Sequence, residues 1–120
     1  MEIRIKSSDY EITPETAAYL DDKLAMIARL VGDDETARCD VEIGRSVGHS
    51  QQGNVWKAEI VLSRGSERLR AVAEEESINA AIDIVKDEMM QQLRKSKGRF
   101  TALSRRAGLK VKEWMRFGRE

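Results

Sequence analysis

The stretch WKAEIVLSRGSERLRAVAEEESINAAIDIVKDEMM, residues Trp56–Met90, decides the fold. Trp56, Ala58, Ile60 and Leu62 alternate with Lys57, Glu59 and Val61, and Leu69, Ala71 and Ala73 alternate with Arg68, Arg70 and Glu74. A period of two with one apolar face marks a strand covered on one side. The short Ser63-Arg64-Gly65-Ser66 segment between the runs is a turn. After Ala73 the period changes. Ile78, Ala81, Ile82, Val85 and Met89, continued by Leu93, fall at helical spacing and form one buried stripe. Ser77 is the N-cap, and Glu74-Glu75-Glu76 suit the positive end of the helix dipole. This reading stops the helix at Gly98.

Upstream, Cys39, Val41 and Ile43 alternate with Arg38, Asp40 and Glu42 in a third strand. At the N-terminus, Ile3 and Ile5 alternate with Glu2, Arg4 and Lys6, which reads as a half-buried strand. Between these two lies a helix. Thr13 is its N-cap, Pro14 takes the first helical position, and Ala17, Leu20, Leu24, Ile27 and Val31 form its stripe, ending at Gly32. The expected fold class is α+β, in the order β-α-β-β-β-α. Four strands form an antiparallel sheet, and two helices pack on one of its faces. The outer face then carries mixed charge: Arg4, Lys6, Arg38, Glu42, Lys57, Glu59, Arg68 and Arg70. Residues 1–99 make the domain, and residues 100–120 are a basic, partly apolar tail that is flexible when free.

Composition supplies a direction. The 120 residues carry 21 Lys/Arg and 21 Asp/Glu, a net charge of zero. Residues 1–76 hold 10 cations against 16 anions, whereas residues 89–120 hold 10 against 2. A basic end on an acidic body fits an anionic partner, most commonly nucleic acid. Helix-dipole pairing accounts for Arg94, Lys95 and Lys97, but not for the continuation through Arg99, Arg105, Arg106, Lys110, Lys112, Arg116 and Arg119. Lys23 and Arg29 on the first helix are the second candidates, with Lys23 beside the buried stripe. The sheet is poor in aromatics, and Trp56 alternates inward, so recognition of shape and backbone is expected rather than base stacking.

No enzyme is expected. His49 is the single histidine and sits in the polar Gly44–Gly53 loop; Cys39, the single cysteine, alternates inward as a small core residue. The two do not make a metal site, and neither a phosphate loop nor a nucleophile elbow is present. The expectation is therefore no metal, no cofactor and no small-molecule substrate. The opening MEIRIKSSDY has no apolar stretch of the signal-peptide kind, and no window approaches the ~20 apolar residues of a membrane span. A cytoplasmic address is expected.

The segments EITPETAAYLDDKL (Glu11–Leu24), LRAVAEEES (Leu69–Ser77) and AAIDIVKDEMMQQLRKSKGR (Ala80–Arg99) resemble the ribosome hibernation promoting factor family, also called ribosome-associated inhibitor, protein Y or sigma-54 modulation protein. The resemblance covers residues 1–99. It implies a fold like that of a double-stranded RNA-binding domain. It also implies a monomer that binds small-subunit ribosomal RNA in the channel of messenger and transfer RNA and keeps idle ribosomes inactive. Carried over by position, the RNA-binding set is Lys23, Arg29, Arg94, Lys95, Lys97 and Arg99; Lys86 is added as a nearby cation, and Arg105 and Arg106 from the tail. Ribosomal proteins are candidate further partners. Glu88 and Gln91 stand where the family usually carries Lys and often Arg, which makes the middle of the second helix less basic. The chain resembles the family's short form, without the second domain that pairs ribosomes. Two rival readings follow from the tail: a protein–protein modulator, of transcription-factor type, docking through its apolar positions, and membrane-surface binding by residues 102–117.

Overall fold

The computed structural model describes residues 1–46 and 55–106, with side chains through Ser96. His49 lies outside the described residues. The elements run β1 (Glu2–Ser8), α1 (Pro14–Val31), β2 (Arg38–Arg45), β3 (Trp56–Arg64), β4 (Glu67–Glu75) and α2 (Ile78–Arg106). The chain is α+β in the expected order, and the strands lie in sheet order β1-β2-β3-β4.

The caps are those the residues dictate. The Thr13 side chain accepts the Thr16 N–H at 3.2 Å, ahead of Pro14, and the Gly32 N–H returns to the Ala28 carbonyl at 3.0 Å. The Ala80 N–H donates to the Ser77 hydroxyl at 3.1 Å. Between β3 and β4 the two-residue turn places Gly65 at φ 57°, left-handed backbone that glycine adopts without strain. Arg64 and Glu67 clasp across that turn at 3.0 Å.

Three expectations are corrected. The sheet is mixed rather than antiparallel: β2, β3 and β4 pair antiparallel, but β1 pairs parallel to β2 in the register Ile3↔Cys39, Ile5↔Val41. The cause is α1 itself. An 18-residue helix between two strands carries the chain back to the end where it began, so the next strand runs the same way. β1 is also not half-buried. Ile3 and Ile5 face the helix side of the sheet by register, yet are 40% and 43% exposed, because β1 lies at the edge, beyond the cover of the helices. Finally, α2 does not stop at Gly98 but continues to Arg106. A glycine within a helix costs about 1 kcal/mol relative to alanine, which does not terminate a helix flanked by good helix formers. The first residues of the expected tail are thus helical, and residues 107–120 lie outside the described ones.

The core sits between the helices and strands β2–β4. Leu20, Leu24 and Ile27 of α1 meet Ile82, Val85, Met89 and Leu93 of α2 over Cys39, Val41, Ile43, Ala58, Ile60, Leu62 and Ala71. Small residues on β3 and β4 (Ala58, Ala71, Ala73) leave room for the larger α2 side chains. Tyr10 and Trp56 close one end edge to face at 5.0 Å, with the Tyr10 hydroxyl donating to Thr16. The other edge of the sheet is covered: the Gln92 side-chain amide donates to the Arg70 carbonyl of β4 at 2.8 Å, and Ser96 bonds Glu67. The outer face carries the expected mixed charge, with Arg70 paired to Glu59 and Arg4 to Glu2.

Gly44 of β2 lies opposite Ser8 of β1 in the register. A side-chain carbon there would fall 2.0 Å from the Ser8 carbonyl oxygen. Gly44→Ala is expected to destabilise the fold by roughly 1–3 kcal/mol, as overpacking does. Urea denaturation measures it, and an unchanged midpoint would contradict this close approach.

Candidate nucleic-acid interface

Strand polarity fixes how the helices relate. β2 and β4 run the same way, since both are antiparallel to β3. α1 runs back between the parallel β1 and β2, and α2 runs back along β4, meeting Arg70 through Gln92 and then Glu67 through Ser96. The two helices are therefore parallel, and both C-terminal ends point to the same end of the molecule.

A polar cluster joins them midway. The Tyr19 hydroxyl donates to the Asp83 carboxylate at 2.7 Å, and the Lys23 ammonium pairs with the same carboxylate at 3.2 Å. That ammonium also lies 4.9 Å from the centre of the Tyr19 ring, within cation–π range. The Tyr19 hydrogen bond, joined by Lys23 and the nearby Lys86, holds the Asp83 carboxyl below its ordinary range. The same hydrogen bond to a carboxylate raises the Tyr19 phenol. One turn on, Lys86 is 91% buried and its ammonium pairs with Asp87.

Two of the candidate cations are thus committed to carboxylates within the protein. The others are placed differently. Tyr19 and Asp83 are 64 residues apart in sequence and level in space. Parallel helices of equal rise then bring Arg29, in the last turn of α1, level with Leu93 and Arg94 of α2. Arg29, Arg94 and Lys95 are exposed, and none pairs with a described carboxylate. They gather where the α1 dipole is negative, which favours cations. Beyond Ser96 the helix continues to Arg106. By helical spacing, Lys95, Arg99 and Arg106 share one row and Arg94 and Arg105 the next, over about 18 Å between Arg94 and Arg106. Lys97 lies on the same helix, off both rows.

Of the remaining candidates for chemistry, Cys39 is placed in the core. Cys39 is fully buried, and desolvation, with the nearby Asp40 charge, pushes its thiol up to about 11. A thiol of that kind is neutral at physiological pH and a poor nucleophile. No group of three or more metal-ligating side chains occurs among the described residues, and no described helix is long and apolar enough to cross a membrane. The sequence reading missed the Tyr19–Asp83–Lys23 cluster. Its signal was the i, i+4 spacing of Tyr19 and Lys23 and a carboxylate at the edge of the α2 stripe.

Two outcomes are expected. Cys39 should resist iodoacetamide at pH 8 in the native protein and react once urea unfolds it; ready labelling of the native form would contradict its burial. Asp83, with its carboxyl lowered by folding, stabilises the protein above the usual carboxylate range, and that contribution is lost as pH falls through the folded value. Urea midpoints measured from pH 6 to pH 2 should therefore fall more steeply for the unaltered chain than for Asp83→Asn. Parallel curves would remove the cluster's role in stability.

Among curated protein sequences none matches this chain. Solved structures do. The N-terminal domain of Thermus thermophilus Protein Y is 26% identical, with a TM-score of 0.65, covering 79% of this chain and 98% of that one. A ribosomal subunit interface protein from Coxiella burnetii shares the fold at 16% identity and a TM-score of 0.65, covering 82% of this chain and 99% of that one. The family model described as sigma 54 modulation protein / S30EA ribosomal protein matches residues 3–101, which take in α1, most of α2 and nearly the whole of the four strands. The chain therefore belongs to that ribosome-associated family.

Proposed function

We propose that this chain is a ribosome hibernation factor: it binds ribosomal RNA of the small subunit in the channel that messenger and transfer RNA use, and keeps idle ribosomes inactive. The observation that carries the reading is the cationic end of the parallel helix pair. Arg29, Arg94 and Lys95 stand there without carboxylate partners among the described residues, and α2 continues as a helix to Arg106. Family membership gives the ribosome as the partner, and the chemistry of the patch gives phosphate as the group bound.

The mechanism is occlusion rather than catalysis. A rigid α+β body anchors a basic helix that lies along the RNA backbone, and the body then occupies space that messenger and transfer RNA need. Contacts to phosphate position the protein without reading bases, in keeping with the absence of aromatic side chains, among the described residues, from the outer face of the sheet. Arg29, Arg94 and Lys95 lead the contact set. Lys97, Arg99, Arg105 and Arg106 continue it along α2. Lys23 and Lys86 are left out because Asp83 and Asp87 already hold them. The protein acts as a monomer in the cytoplasm and needs no cofactor.

Co-sedimentation with purified small subunits tests the reading. The protein is expected to travel with the subunit and to compete with messenger RNA. If about six phosphates are neutralised, log affinity falls with log salt at a slope near −4 to −5, at ~0.7–0.9 per contact. Arg94→Glu with Lys95→Glu should weaken binding more than tenfold while leaving the fold intact, since both side chains are exposed. A protein that remains at the top of the gradient, or binds with no salt dependence, would overturn the assignment.

A further inference from the structure

Lys23 stands out among the basic residues of the helix pair. It lies beside the groove between α1 and α2, its side chain is only 24% exposed, and two groups already satisfy it. Asp83 offers a carboxylate oxygen at 3.2 Å, and the Tyr19 ring lies 4.9 Å from the ammonium. Tyr19 in turn donates to the same carboxylate at 2.7 Å, so Asp83 is fixed from two sides. A carboxylate held this way presents to Lys23 what an RNA phosphate would present: an anionic oxygen at hydrogen-bond distance. One turn further on, Asp87 does the same for Lys86, and Glu88 is exposed beside it. The groove thus changes character along its length. Its middle is occupied by internal carboxylates, and its C-terminal end is lined by cations that pair with no described carboxylate.

Resting on the ribosomal RNA reading, we propose that Asp83 is an internal phosphate surrogate: it keeps Lys23 out of the RNA interface and so sets the edge at which backbone contact begins, beyond Met90. The consequence is one of register. An RNA strand that slid toward the helix N-termini would find Lys23 and Lys86 already neutralised by Asp83 and Asp87 and would meet the exposed charge of Glu88, which opposes binding. A strand placed over Arg29, Arg94 and Lys95 meets no such opposition. Specificity for position along the helix pair then needs no base contact.

The experiment measures binding of the full chain to purified small subunits over a range of salt, for the unaltered protein and for Lys23→Met, Asp83→Asn, the double variant, and Tyr19→Phe. Lys23→Met is expected to change affinity less than twofold and to leave the salt slope unaltered. Asp83→Asn frees Lys23 and should raise affinity severalfold at low salt, steepening the slope by one contact, ~0.7–0.9. The double variant should return to the original slope. Tyr19→Phe keeps the ion pair and should leave the slope unaltered. A flatter slope for Lys23→Met would mean that Lys23 touches phosphate in the natural protein. Weaker binding by Asp83→Asn would mean that Asp83 positions Lys23 for the RNA. Either result overturns the proposal. Ultraviolet titration of the Tyr19 phenol in the free protein separates this idea from the functional reading. The phenol should titrate above its ordinary value in the natural chain and return toward it in Asp83→Asn. If the natural chain fails to bind subunits, the functional reading falls, while an unchanged phenol in Asp83→Asn overturns the cluster by itself.

Discussion

A helix that follows a strand and packs on its sheet must run back along it, and here that constraint acts twice. Because β2 and β4 share a direction, both helices share the opposite one. Their dipoles add rather than cancel, and their negative ends lie together. The basic end of the sequence and Arg29, more than sixty residues apart in the chain, are brought together by topology before any side chain is considered. Partial negative charge from backbone carbonyls makes this the place where a cluster of cations costs least.

The same layer arrangement explains where stability resides. Nearly all fully buried side chains belong to α1, α2 and the strands β2–β4, and each Val, Leu, Ile or Met among them contributes roughly 1.5–3 kcal/mol by its removal from water. β1 is different. It is held to β2 by parallel backbone pairing and has both faces exposed from Glu2 to Ser7. Its alternating Arg4 and Lys6 lie on an open edge, where charge discourages pairing with a foreign strand. The opposite edge is shielded differently, by Gln92 and Ser96 reaching down from α2 to β4.

Much of this was legible in the residues. The alternation in Trp56–Leu62 and Leu69–Ala73, the stripe from Ile82 to Leu93, and the caps Thr13-Pro14 and Ser77 each signal one element through local rules, and the structure agrees with each. What was not legible is non-local. Ile3 and Ile5 alternate like any half-buried pair, and only the position of β1 in the sheet order exposes them. Strand direction follows from a crossover, which a period of two does not encode. Gly98 read as a stop because a glycine's effect depends on whether the backbone turns left-handed there, and here it does not leave the helix. At the candidate site the charge of each residue was visible, but not its partner. Lys23 and Arg29 look alike in sequence. Only the packing of α1 on α2 shows that one faces Asp83 and the other has no described counter-ion.

The unbroken run of α2 past the edge of the sheet has a thermodynamic meaning. Starting a helix in water is the unfavourable step, while extending one adds a hydrogen bond for each residue fixed. Residues 97–106 extend a helix whose first turns are already locked into the core by Ile82, Val85 and Met89. Their backbone order is therefore inherited from folding of the domain rather than acquired on contact with a partner. An isolated peptide of the same ten residues lacks that nucleus and would lose conformational freedom on binding. The domain thus acts as a template for the backbone of this segment.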